Sequence, residues 1–115
     1  MANKTLKYPF AAAPTAIAFT ATGTQAVTIK NALTFLDGVT VEATGNLTLN
    51  LTIGSEVPTG AILHIASKTN GSETLTFGTG ITDVTNTGSA GKTFAGAYIY
   101  NGTTFYPMGE FQQVD

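Results

Sequence analysis

The sequence predicts an all-β domain: an antiparallel β-sandwich or jelly-roll-like fold with an extended N-terminal arm. Three observations carry this. Apolar residues recur with period two, turn dipeptides cut the chain into short segments, and Thr is the dominant polar residue. Leu47-Thr48-Leu49-Asn50-Leu51-Thr52-Ile53 shows the alternation best, with four aliphatics on one face and Thr, Asn, Thr on the other. Thr suits that polar face because its branched Cβ fits a pleated strand while its hydroxyl meets water. The one helix-friendly stretch, Phe10 to Ala13, stops at Pro14.

In chain order, the reading divides into an arm over 1–15, a β-sandwich domain over 16–107 and a tail over 108–115. The arm holds Pro9 and Pro14, three consecutive Ala, and the aromatics Tyr8 and Phe10. It is too apolar for a solvated tail, and is expected either to dock on a partner or to tuck along the domain edge as a strand. Strands follow over Ala16–Phe19 and Val27–Lys30. Asp37-Gly38 is expected to turn a hairpin between Leu33–Leu36 and Val39–Glu42. Asn70-Gly71 does the same between Ala61–Ser67 and Glu73–Phe77, and Asn101-Gly102 between Phe94–Tyr100 and Thr103–Tyr106. Type I′ turns need positive φ at both central residues, which Asn-Gly and Asp-Gly supply at least cost. The tail, with Phe111 and Val114, reads as a last edge strand or a second docking segment.

The segment Phe94–Tyr106 has two apolar faces. With a two-residue turn, Tyr100 faces Thr103 and Tyr98 faces Phe105, so Phe94, Tyr98, Tyr100 and Phe105 share one side. Ala95, Ala97, Ile99 and Tyr106 share the other. Ala61–Ala66 behaves alike, with only His64 interrupting its second face. One side belongs to the core; the other is expected under a neighbouring subunit, under the chain's own arm, or in a glycan-binding groove. Tyr serves all three, having an apolar ring and a hydroxyl that needs a partner. The candidate docking or interface residues are therefore Tyr8, Phe10, Phe94, Tyr98, Tyr100, Phe105, Tyr106 and Phe111.

Composition narrows the function. The 115 residues are 43% hydrophobic and 10% charged, with 22 Thr and no Cys, Trp or Arg. The absence of Cys removes disulfide frameworks, zinc knuckles and thiol nucleophiles. Five Lys against seven Asp and Glu leave no basic footprint for nucleic acid. No apolar run is long enough to span a membrane as a helix, and no export signal is expected. So little charge on a small domain points to a surface largely covered by another copy or another protein.

Catalytic chemistry finds no foothold. His64, the single histidine, stands mid-strand among aliphatics, without a nucleophile motif or an orienting partner in sequence. The carboxylates Asp37, Glu42, Glu56, Glu73, Asp83, Glu110 and Asp115 are dispersed and form no calcium loop or His-Glu-x-x-His pair. Ala90-Gly91-Lys92-Thr93 lacks the earlier Gly of a phosphate loop and leads into a strand. No catalytic residue, no metal ligand set and no cofactor is expected.

The stretch Gly45–Tyr106 resembles a β-rich module of tailed-bacteriophage structural proteins. The residues that carry the likeness are Gly45-Asn46-Leu47-Thr48-Leu49-Asn50-Leu51, Thr59-Gly60-Ala61-Ile62-Leu63-His64-Ile65 and Glu73-Thr74-Leu75-Thr76-Phe77-Gly78-Thr79-Gly80. They end in Phe94–Tyr100 with the return Asn101-Gly102-Thr103-Thr104-Phe105-Tyr106. The resemblance implies a non-enzymatic virion component assembled in the host cytoplasm. A capsid decoration or auxiliary protein is favoured over a head fibre or tail-fibre domain, because no long repetitive shaft is present. It implies a homotrimer bound to major capsid or other virion proteins, with a carbohydrate- or receptor-binding module as the alternative and glycans as its ligands.

Overall fold

The computed structural model describes residues 15–115. Ten strands follow one another without a helix among the described residues: β1 (Thr15–Ala18), β2 (Gly23–Ile29), β3 (Leu33–Ala43), β4 (Leu47–Ile53), β5 (Ile62–Thr69), β6 (Thr74–Phe77), β7 (Asn86–Thr87), β8 (Thr93–Tyr100), β9 (Phe105–Pro107) and β10 (Gln112–Gln113). They form two sheets. Sheet I runs β1-β3-β5-β8-β10, with β9 also beside β8; sheet II runs β2-β4-β6-β7. The all-β expectation and the two-layer arrangement therefore stand.

The pairing does not match the antiparallel expectation. β1, β3 and β5 run parallel to one another, and so do β2, β4 and β6. Successive strands alternate between the sheets, so the chain winds through three coils, β1–β2, β3–β4 and β5–β6, stacked side by side. A jelly roll, built from antiparallel Greek keys, does not take this path; a short β-helix-like coil does. Antiparallel pairing enters only where the winding stops, at β6–β7, β5–β8, β8–β9 and β8–β10.

Two of the three expected hairpins are corrected for a shared reason. Asp37-Gly38 lies inside β3 and turns nothing. The Asp37 carboxylate accepts the Val39 N–H at 2.9 Å and the Thr40 hydroxyl, and the β3–β5 register shifts between Gly38 and Ala43. The dipeptide thus marks a bulge. Gly38 is required for closeness: a Cβ there would stand 2.6 Å from the Ala66 carbonyl oxygen. Asn70-Gly71 is a corner between sheets, since β5 lies in sheet I and β6 in sheet II. The Glu73 carboxylate accepts the Gly71 N–H there at 2.8 Å, and the buried Thr69 hydroxyl donates to the Gly71 carbonyl at 2.8 Å.

Asn101-Gly102 does turn a hairpin, with Gly102 at φ +99°. The Asn101 side-chain oxygen accepts the N–H groups of both Thr103 and Thr104 at 2.9 Å, which widens the loop to four residues. Tyr100 then pairs with Phe105 and Ile99 with Tyr106, two positions from the two-residue register. A shift of two leaves every side chain on its expected face.

The core lies between the sheets. Leu36, Leu63, Ile65 and Tyr98 from sheet I meet Val27, Ile29, Leu47, Leu49, Leu51, Leu75 and Phe77 from sheet II. Adjacent coils are also tied by side chains: the oxygens of Asn46, just before β4, and of Asn50, within it, accept the N–H groups of Thr74 and Thr79 at 3.0 and 2.9 Å.

Candidate functional site: the outer face of sheet I

The register of sheet I sorts the candidate residues by face. Thr34, Leu63 and Tyr98 stand in one inward row, and Leu36, Ile65 and Gly96 in the next. Tyr98 is fully buried, its ring 5.7 Å from Phe77 of the other sheet. Its hydroxyl donates to the Asp83 carboxylate at 2.7 Å. Burial, reinforced by that bond and the nearby negative charge, pushes the phenol above its ordinary range. Phe105 is also fully buried, and Tyr100 packs against it with ring centroids 5.2 Å apart.

Phe111 and Phe94 close the same interior. Gly96 has no side chain, and the Phe111 ring occupies that space, lying 5.7 Å from Phe77 and 6.4 Å from a stacked Phe94. The tail thereby forms the edge strand β10 on β8. Of the eight candidates, five (Phe94, Tyr98, Tyr100, Phe105 and Phe111) point inward or pack on the core. Tyr98 and Phe105 present no surface to a partner. Tyr106 faces outward and is 43% exposed. Tyr8 and Phe10, and the arm that holds them, lie outside the described residues.

The outer face is nonetheless apolar. The register sets Leu33, Ile62, Ile99 and Tyr106 in one row across four strands, and Phe35, His64 and Ala97 in the next. Ala66 and Ala95 continue the third row beside Asp37. A shallow groove of about 660 Å³ crosses this face, walled by Leu33 and Phe35 on one side and floored by Ala66, Ala95 and Gly96. Among the residues that line the groove, the ionisable one is His64, which is exposed. The small residues keep the floor flat, so an incoming surface can approach the backbone closely.

Reading the sequence missed Leu33 and Phe35 as members of this face. Their signal was present: in Leu33-Thr34-Phe35-Leu36 the buried polar residue is Thr34, while apolar Leu33 and Phe35 face out. Ending that strand at Leu36, with Asp37-Gly38 read as a turn, concealed the inversion.

Two of the carboxylates bond within the fold. Asp83 binds Tyr98 and the Val84 N–H, and Glu73 holds the Gly71 N–H. Among the described residues no three His, Asp or Glu side chains converge to hold a metal ion. Comparison with protein-family models, curated proteins and solved structures finds no match to this chain.

Proposed function

We propose that this protein is a non-enzymatic structural component of a phage virion, a capsid decoration or auxiliary protein that works as a homo-oligomer, most simply a trimer. The observation that carries the reading is the outer face of sheet I, where Leu33, Phe35, Ile62, Ala66, Ala95, Ala97 and Ile99 form a continuous apolar surface around a single His64. Solvated sheets alternate apolar-in and polar-out; a sheet apolar on both sides is built to be covered. Sheet II shows the ordinary alternative, with exposed Thr24, Thr28 and Thr52 on its outer side. The likeness of Gly45–Tyr106 to phage structural modules supplies the biological setting.

Such a protein stabilises a shell by binding the assembled lattice better than its loose subunits. Repetition over many copies multiplies modest contacts into firm attachment. The outer face of sheet I serves the neighbour or shell, while the buried aromatics keep the domain rigid.

The test is direct. Particles of a phage encoding this chain should contain it in many copies by mass spectrometry, and light scattering of the isolated protein should return a multiple of 11.8 kDa. A monomer at every concentration, absent from particles, overturns the proposal.

A further inference from the structure

We propose that Asn101 is a site of spontaneous covalent modification, where the β8–β9 loop promotes deamidation to aspartyl and isoaspartyl products without an enzyme. The inference is independent of the virion reading. The reaction needs an Asn side-chain carbonyl, a following backbone nitrogen that is not crowded, and water. Nucleophile and electrophile sit in adjacent residues, so the attack is intramolecular. The sequence offers two Asn-Gly pairs, Asn70-Gly71 and Asn101-Gly102, in which the missing Cβ leaves that nitrogen open to approach. The fold treats the two pairs in opposite ways.

The Asn101 side-chain oxygen accepts the N–H groups of Thr103 and Thr104, each at 2.9 Å. These bonds draw the side chain towards the residues that follow it, the side on which the Gly102 nitrogen lies. The Asn101 N–H donates to the Thr104 carbonyl at 3.1 Å, which holds the loop in this form. Asn101, Gly102 and Thr103 are all exposed, so hydroxide and water reach them.

Base removes the Gly102 amide proton, and the nitrogen forms a bond to Asn101 Cγ. The carbonyl electron pair moves onto Oδ1, then returns as the Cγ–Nδ2 bond breaks and ammonia leaves with a proton from water. Water opens the resulting succinimide, at Cγ to give an aspartyl residue or at the backbone carbonyl to give an isoaspartyl one. Water is consumed, ammonia is released, and no oxidation state changes. While negative charge stands on Oδ1, the Thr103 and Thr104 N–H groups act as an oxyanion hole. Bonds to an anion are stronger than bonds to a neutral amide, so both donors favour the transition state over the ground state.

At Asn70 the nucleophile is restrained. The Gly71 N–H donates to the Glu73 carboxylate at 2.8 Å, and the Gly71 carbonyl accepts the Thr69 hydroxyl at 2.8 Å. A carboxylate beside that N–H disfavours the amide anion that the attack requires. Gly71 is also half-buried, and the Asn70 N–H is tied to the Ala43 carbonyl at 3.0 Å. Folding thus protects Asn70 and promotes the same chemistry at Asn101. An aspartyl product keeps an acceptor for Thr103 and Thr104. An isoaspartyl product lengthens the backbone between Tyr100 and Phe105, whose ring centroids lie 5.2 Å apart.

The experiment uses the full wild-type chain, incubated in mildly alkaline buffer and sampled over time by peptide mapping with mass spectrometry. Enzymatic methyl-ester labelling counts the isoaspartyl groups. A parallel incubation in denaturant gives each Asn its rate without the fold. In the folded chain Asn101 is expected to convert at least as fast as in denaturant, and at least about tenfold faster than Asn70. A folded rate at Asn101 below its rate in denaturant, or within about tenfold of folded Asn70, overturns the proposal. A gap of about tenfold that persists in denaturant overturns it too, since the local sequence and not the loop would then set the rate.

Discussion

The Tyr98 hydroxyl donates to the Asp83 carboxylate across 2.7 Å while the Tyr98 ring is fully buried between the sheets. The bond ties β8 of sheet I to the loop that follows β6 of sheet II, so it fastens the two layers. Tyr98→Phe keeps the ring and leaves the half-buried Asp83 oxygen without this donor. The expected cost is about 1–3 kcal/mol, read from the urea midpoint.

The same pair sets an alkaline limit on stability. Folding holds the Tyr98 phenol above its ordinary value of 10.0, chiefly through burial and then through Asp83. Above pH 10 the unfolded chain releases this proton while the folded chain keeps it. The contribution is complete below that pH and declines as the pH rises beyond it. Urea midpoints should fall between about pH 10 and 12 in the wild type, and less steeply in Tyr98→Phe.

Gly96→Ala should destabilise by about 1–3 kcal/mol, because the added Cβ would stand 2.8 Å from the Phe111 ring. Thermal melts of the single and double variants check the cause. In the Phe111→Ala background the Gly96→Ala penalty should largely vanish, a coupling expected only if the two groups compete for one space.

Asn101→Ala removes the oxygen that accepts two N–H bonds in the β8–β9 loop. A loss of about 1–2 kcal/mol is expected, with Asn101→Asp retaining most of the stability because its carboxylate accepts the same bonds. Chemical denaturation of both variants measures the difference.

Phe35→Asp addresses the outer face of sheet I. Phe35 lines the groove beside His64 and contributes nothing to the interior row of Thr34 and Leu36. The variant should fold with a melting temperature close to the wild type and lose self-association by at least about tenfold, since a buried unpaired charge is costly. Light scattering across a concentration series reads the outcome.

The period-two pattern made the strand class legible, and β4 occupies the segment Leu47–Ile53 where the alternation is strictest. The closing hairpin was legible too, because Asn101 and Gly102 act locally, through one side chain and one positive φ. The two faces of the Phe94–Tyr106 segment were sorted correctly, since alternation depends only on the pleat. β7 and β10, two residues each, are too short to leave a period.

By itself, then, the sequence determined where most of the longer strands lie, which residues of a strand share a face, and that the chain carries more apolar surface than one core face needs. Only the tertiary structure decided which strands are neighbours. Side chains alternate identically in parallel and antiparallel strands, so the pattern of Leu47–Ile53 cannot reveal that its partners lie 24 residues before it, from Gly23, and 28 after it, from Leu75. Likewise Asp37-Gly38 can serve as a turn or a bulge; the packing of Gly38 against the Ala66 carbonyl on the neighbouring coil selects the bulge. Contacts between residues far apart in the chain made that choice, and tertiary packing placed Tyr98 inside and Phe35 out.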